Sequence, residues 1–525
     1  MQMFDVIIRN GNLLDGSGKP AFCADVGIAN ARIEAIGDLR DATANEILDA
    51  TGLIVAPGFI DMHSHSDFSL PIDARAESKI HQGITTEVVG NCGFSPAPIS
   101  AATKTQLIEY AGFLGPNLAW DWESFGDFLA RVDRRALNVI PLVGHGTVRI
   151  AVIGFSDAAP NQDQLAQMQR VIAQALDDGA WGLSTGLIYP PGVFANTREI
   201  VELSRDVAAR GGLYFSHIRG EGATLLDAIS EAITIAREAN ISAEIAHFKA
   251  AGKPNWDKAA RAIELIENAR AEGLRVDADM YPYAAGSTTL TALLPDFALA
   301  GGIPALLARL RDPGTRAKIA DAMRAGAGVA NNYDQVFLSL CPPQIEYEGK
   351  TIAQVAELRA QNSIDTILDL VTASNGAAEM IGFMLSDDNI RLSMAQPWMT
   401  IGSDGLALAP RGVLGKGKRH PRSYGTFPRV LGEYVREKKV MTLPEAIRRM
   451  TAQAADKLGL HDRGRVQTNL AADLVVFNAD TIADRATYGE PYQFPSGIEF
   501  VIVNGQVTIA RGEQREVMAG KVLRK

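Results

Sequence analysis

The chain has 525 residues, more than one ordinary core organises at ~150 residues per domain, although α/β barrels routinely pass ~250 as one unit. Hydrophobic residues make up 47% and charged residues 21%, the balance of a folded globular protein and not of a disordered or fibrous one. With 51 Lys plus Arg against 61 Asp plus Glu, the net charge of -10 supplies no electrostatic drive toward nucleic acid or an anionic membrane.

The opening residues, MQMFDVIIRNGNLLDG, lack the basic and apolar regions of a secretory signal. Alternating apolar positions with Gly or Asn at the turns predict short strands over residues 4–55. The same texture returns in ADLVVFNAD and FVIVNGQVTIARG, and chain ends commonly lie close together, so both ends are expected in one small sheet domain. Between them, strand-like runs begin at Phe59 (FIDMH), Ile84 (ITTEVVG), Val139 (VIPLVG), Trp181 (WGLSTG), Leu213 (LYFSHI), Ala243 (AEIAHF), Leu274 (LRVDADMY) and Met399 (MTIGSD). Helical spacing separates them. In QLAQMQRVIAQALDDG, Leu165, Met168, Val171, Ile172 and Leu176 share one face and Gly179 ends it.

Strand and helix alternating in this way predict an α/β fold, a closed (β/α)8 TIM-like barrel. The gap before the last strand is too long for one βα unit, so residues 286–350 are expected to form an inserted helical lobe or lid between strands seven and eight. The longest apolar stretch lies here, around Phe297 to Ala308, and Pro304 and Arg309 cut it short of a membrane span. The expected division is 1–57 and 456–525 for the small β domain, 58–285 and 351–455 for the barrel, and 286–350 for the lobe. Three scattered cysteines, Cys23, Cys92 and Cys341, make no disulfide framework and suit a reducing, cytoplasmic compartment.

Only eight histidines occur, so their placement is informative. His63 and His65 form HSH after the first strand, and period two turns both imidazoles to one side. His217 ends the fifth strand, His247 the sixth and Asp404 the eighth, and Cys92 follows the second. The carboxyl ends of barrel strands are where active sites assemble. Taken singly, a strand-end His is as readily a satisfied structural residue and a lone Cys a small buried hydrophobe. Together on one face they form a metal-ligand set. His145, in VGHG at the end of the third strand, also faces that side and has no assigned role. Gly220-Glu221-Gly222 lacks the third glycine of a dinucleotide loop, and Gly16-Ser17-Gly18-Lys19 runs into Pro20, so neither is a nucleotide site.

The motifs GFIDMHSHSD, GITTEVVGNCGFSPAP, GLIYPPG, SHIRGEG, AHFK, DMYPYAAGST, GSDG and HPRSYGTFPRVLG resemble the amidohydrolase superfamily, more narrowly its N-acyl-D-amino-acid deacylases (D-aminoacylases). The fourth strand, WGLSTGLIY, has no lysine to carboxylate as a metal bridge, and the resemblance gives that role to Cys92. It implies a tightly held zinc on Cys92, His217 and His247, and a weaker second site at His63 and His65 with Cys92 shared and Asp404 nearby. Thiolate and imidazole donors favour zinc over magnesium or calcium.

The expected reaction is hydrolysis of the amide of an N-acyl-D-amino acid by a metal-bound hydroxide, with Asp404 as general base and acid or, at the same address, mainly a ligand. The α-carboxylate calls for cations, and the resemblance offers Arg422, Lys249, Tyr281 and Tyr283, with Arg219 a further candidate. Lys249 shares a side with His247, although a lone lysine is as readily a solvated charge. Arg411, Lys416, Lys418 and Arg419 either favour an acidic substrate side chain or are solvated. The expected partner is a small-molecule substrate, with no nucleic acid and no membrane, and oligomeric state is not legible. The alternatives are a dipeptidase for a C-terminal D-residue and a cyclic-amide hydrolase of the hydantoinase or dihydroorotase kind.

Overall fold

The structure is a computed structural model that describes residues 3–115, 117–326 and 332–525. Its centre is the expected barrel. The first barrel strand, Phe59–Asp61, pairs in parallel with Ile84–Val89, which pairs with Asn138–Pro141. The third strand continues as Val143–Gly144, followed in order by Gly182–Gly186, Leu213–His217, Ser242–Ile245, Val276–Met280 and Met399–Ile401, all parallel. The Met62 amide donates to the Ile401 carbonyl at 3.2 Å, closing the ring between the last strand and the first. Every residue of Ile84–Val89 is buried, as expected where one face packs inside a barrel and the other against helices.

The helices keep the periodicity read from sequence. Gln162–Asp177 starts at Asn161, whose side chain accepts from the Gln164 amide while the Gln164 side chain accepts in return from the Asn161 amide. Met168, Ile172 and Leu176 on its inner face are buried. Among the described residues no helix is long and apolar enough to cross a membrane.

Both chain ends meet in one nine-stranded sheet. Ile54–Pro57 pairs in parallel with Met3–Leu13 on one side and antiparallel with Leu474–Phe477 on the other. Val6, Ile8, Val26, Ile28, Val476 and Ile502 fill a core of its own.

The insertion departs from expectation in extent and in kind. Gly286–Thr289 and Val336–Leu340 both pair antiparallel with Glu379–Gly382, giving the lobe a three-stranded sheet. Its separate core joins Leu290, Leu306 and Ile319 to Ile352, Ile367 and Met380, so it runs on through Gly382 and is not purely helical. The physical reason is that Ile352–Leu358 and Ser363–Ala373 are amphipathic helices followed by a short strand, the same rhythm as a βα unit of the barrel.

Candidate active site

The carboxyl ends of the barrel strands gather the donor side chains. His217 is the last residue of its strand; His63 and His65, Cys92, His247 and Asp404 lie within a few residues past theirs. Cys92 (φ 54°), His247 (φ 37°) and Asp404 (φ 50°) occupy the left-handed backbone region, uncommon for residues with a Cβ. Such strain persists only where surrounding structure enforces it, and here three of the six donors turn sharply at the mouth of the barrel.

Two groups result. Ligand atoms of His63, His65, Cys92 and Asp404 lie within 4.8 Å of one another, and so do those of Cys92, His217 and His247. Cys92 is common to both, its Sγ 3.3 Å from Nε2 of His63 and 3.3 Å from Nε2 of His247. Asp404 Oδ1 lies 3.2 Å from His65 Nε2, and its Oδ2 lies 2.7 Å from Arg422.

The donor set fits a metal on two observations. Both ring nitrogens of His217, and Nδ1 of His65, are buried with no hydrogen-bond partner, a condition costing about 1–3 kcal/mol per group if nothing else satisfied them. Burial also holds His217 and His247 well below the usual histidine range, so both are neutral, the ligating form of imidazole. Burial pushes the Cys92 thiol up to about 11 in the protein alone; a cation at Sγ would reverse that. Burial works against ionisation of Asp404 as well, yet Arg422, His63 and His65 hold its carboxyl well below the usual range, so it is ionised.

Of the residues proposed for substrate, three cluster. Lys249 Nζ is 5.7 Å from the centre of the Tyr281 ring and the Arg422 guanidinium carbon 4.9 Å from it. The other two are engaged with other partners, although Tyr283 lines one cavity with Lys249 and Tyr281. Arg219 is spent on Glu231 at 2.9 Å and on the carbonyls of Val193 and Ala195 at 3.0 and 2.8 Å, and Tyr283 donates to Asp484 at 2.8 Å. Past the strand ends the chain has turned, so alternation alone does not say which of these side chains reaches the cluster. His145 is likewise accounted for, paired with Glu199 at 2.8 Å beside Arg149.

Sequence reading missed two residues. Asp279 lies 3.3 Å from His63 Nδ1 and accepts the His247 amide at 2.8 Å, orienting both. Its signal was available, an acid at the end of the seventh strand in DADMY. Glu221 lies 3.0 Å from His247 Nδ1 and accepts from Lys249 at 2.5 Å. It sits in the glycine-flanked loop set aside as no nucleotide site, and nothing in the sequence pairs it with Lys249.

Residues 46–509 match the family model described as the amidohydrolase family. The chain belongs to the amidohydrolase family. Within it, the D-aminoacylase of Alcaligenes xylosoxydans xylosoxydans is 37% identical over 96% of this chain and 94% of its own. Among solved amidohydrolases, N-acyl-D-glutamate deacylase from Bordetella bronchiseptica, complexed with zinc and a phosphonate mimic of the tetrahedral intermediate, superimposes with TM-score 0.86. The two are 33% identical, with 100% of each chain covered. A D-aminoacylase studied for its binuclear metal centre, with one-metal activation and second-metal attenuation, gives TM-score 0.85 at 34% identity over 99% of this chain and 100% of that one.

Proposed function

We propose that this amidohydrolase is a zinc-dependent N-acyl-D-amino-acid deacylase that cleaves a linear amide to a carboxylate and a free D-amino acid. The observation that carries it is the pair of ligand groups meeting at Cys92, directly beside an ionised Asp404 and the cations Arg422 and Lys249. The named relatives act on N-acyl-D-amino acids, which favours this reading over the dipeptidase and cyclic-amide alternatives.

In this reading Cys92, His217 and His247 hold zinc tightly, and His63, His65 and Asp404 with the shared Cys92 make the second, weaker site. Zinc bound there supplies Lewis acidity, making water nucleophilic near neutral pH and polarising the scissile carbonyl. Asp404 takes the proton of the attacking water and delivers it to the departing nitrogen. In an α-amino acid that nitrogen and the carboxylate are one carbon apart, so the carboxylate's cation must stand close to the proton donor. Arg422, 2.7 Å from Asp404, meets that condition, with Lys249 and the Tyr281 ring completing the carboxylate site. We read residues 286–382 as the lobe, the two chain ends as one small β domain and the remainder as barrel. Three free cysteines, one of them exposed, support a cytoplasmic location.

The test is a set of initial rates on matched N-acetyl-D- and N-acetyl-L-amino acids with zinc-loaded protein, then after chelation and zinc return. The D-forms should be hydrolysed preferentially, with activity lost on chelation and restored by zinc. Preference for the L-forms, or activity indifferent to chelation, would overturn the reading.

A further inference from the structure

A substrate with an acidic side chain brings two carboxylates into the site, and each buried charge needs a partner. Lys249 and Arg422 stand beside the ligand groups and serve the α-carboxylate in the function proposed above. Four basic residues of the surrounding loops are already committed, and Lys416 stands out in solvent. Arg411 forks onto Glu77, Arg419 is buried against Glu379, Lys418 donates to the Gly489 carbonyl at 2.9 Å, and Arg219 lies on Glu231. In the loop after Asp404, whose charges the sequence left available for an acid, Arg411, Lys418 and Arg419 are therefore taken.

The aromatic surface beside His217 and His65 has the opposite character. The Tyr189 ring stands edge-on to His217, centroids 5.1 Å apart, and tilts against Phe94 at 5.1 Å, which in turn meets His65 edge-on at 6.3 Å. The Tyr189 hydroxyl lies 3.0 Å from Thr288 Oγ1, tying this aromatic surface to the first strand of the lobe. Tyr189 and Thr288 are half-buried, at the margin where a bound molecule would meet them.

We infer that this site selects N-acyl-D-amino acids with uncharged, apolar side chains, and that Tyr189 with Thr288 determines the preference. The inference rests on the deacylase reading and goes beyond it by choosing among its substrates. Phe94 and Tyr189 give an apolar side chain a surface to cover, and a second carboxylate set there would lie unpaired against an aromatic ring.

The experiment compares kcat/KM of the zinc-loaded enzyme on N-acetyl-D-leucine and N-acetyl-D-methionine with N-acetyl-D-glutamate and N-acetyl-D-aspartate. The neutral substrates should lead by at least ~30-fold, the least that an unpaired buried charge costs at an interface. A Thr288→Arg variant should narrow that ratio by ~10-fold or more through gain on the glutamate substrate, since it places a cation at the wall. Acidic substrates equal to or better than the neutral ones would overturn the inference while leaving the deacylase reading standing. A ratio unmoved in a Thr288→Arg protein that still hydrolyses N-acetyl-D-leucine would remove Thr288 from the determinant. Failure on every N-acetyl-D-amino acid would instead sink the reading beneath it.

Discussion

Two clusters of charged and polar side chains lie buried side by side at the first and last barrel strands, and they are finished differently. In one, Lys79, fully buried, spends its three N–H donors on Asp61 at 2.8 Å, Ser64 at 3.2 Å and Ser403 at 2.7 Å. Asp61 in turn accepts the amides of Ser403 at 2.7 Å and His63 at 3.2 Å. In the other, which continues from His65 and Asp404 to Cys92, His217 and His247, both nitrogens of His217 and one of His65 have no partner in the protein. Burial and residue type are alike; what differs is completion. A cluster whose cation spends every donor on its neighbours is scaffold, and here it pins the HSH turn to the turn carrying Asp404. A cluster left open at neutral imidazoles and a thiol is where an ion belongs.

The sharpest way to break that contrast is His217→Ala. Zinc content measured by atomic absorption should fall and hydrolysis drop to background, while the fold persists because the His217 ring hydrogen-bonds to nothing else in the protein. Undiminished zinc would refute its place in the tight site. Next is Lys79→Met, which strands Asp61 and Glu87 without their cation. Breaking a buried pair from one side costs ~3–5 kcal/mol, readable as a lower denaturant midpoint, and Lys79→Met with Asp61→Asn should recover part of it. A single variant of wild-type stability would show the hub to be dispensable.

Asp279→Asn probes the seam between the clusters, since Asp279 touches His63 and His247 without belonging to either ligand group. Loss of an orienting acid of this kind typically costs 10–100-fold, so zinc affinity or activity should fall by about that much. The smallest effect concerns pH. Burial disfavours the Glu199 carboxylate, but His145 and Arg149 overcome it and hold the carboxyl below its usual range. A depressed folded pKa adds stability above the unfolded value of ~4.3 that is lost as pH falls toward the folded one. Unfolding midpoints followed into acid should therefore decline more steeply in the wild type than in Glu199→Gln, and parallel curves would count against the pairing.

Much of this was legible in the sequence. Apolar runs located all the barrel strands because parallel strands are buried on both faces, and strand ends located the six donors because the fold delivers them to one rim. What stayed hidden was set by contacts between distant segments. The lobe's sheet depends on Glu379–Gly382 accepting strands from either side, and no local pattern announces a partner so far away. Arg219 and Lys249 each follow a strand-end histidine by two residues, yet Glu231 captures the first and Glu221 turns the second toward His247. Scarcity made the histidines readable; the carboxylates that orient them were lost among 61 acids.

The strand Ile54–Pro57 forms early in the chain, yet one of its two neighbours is Leu474–Phe477. On a ribosome, the first strands would emerge with that edge bare, and the whole barrel and lobe would be made before its partner arrived. Long-range pairing of this kind is slow and leaves an unpaired edge exposed to other chains meanwhile. The protein's yield in a cell should then depend on how well that waiting edge is shielded during synthesis.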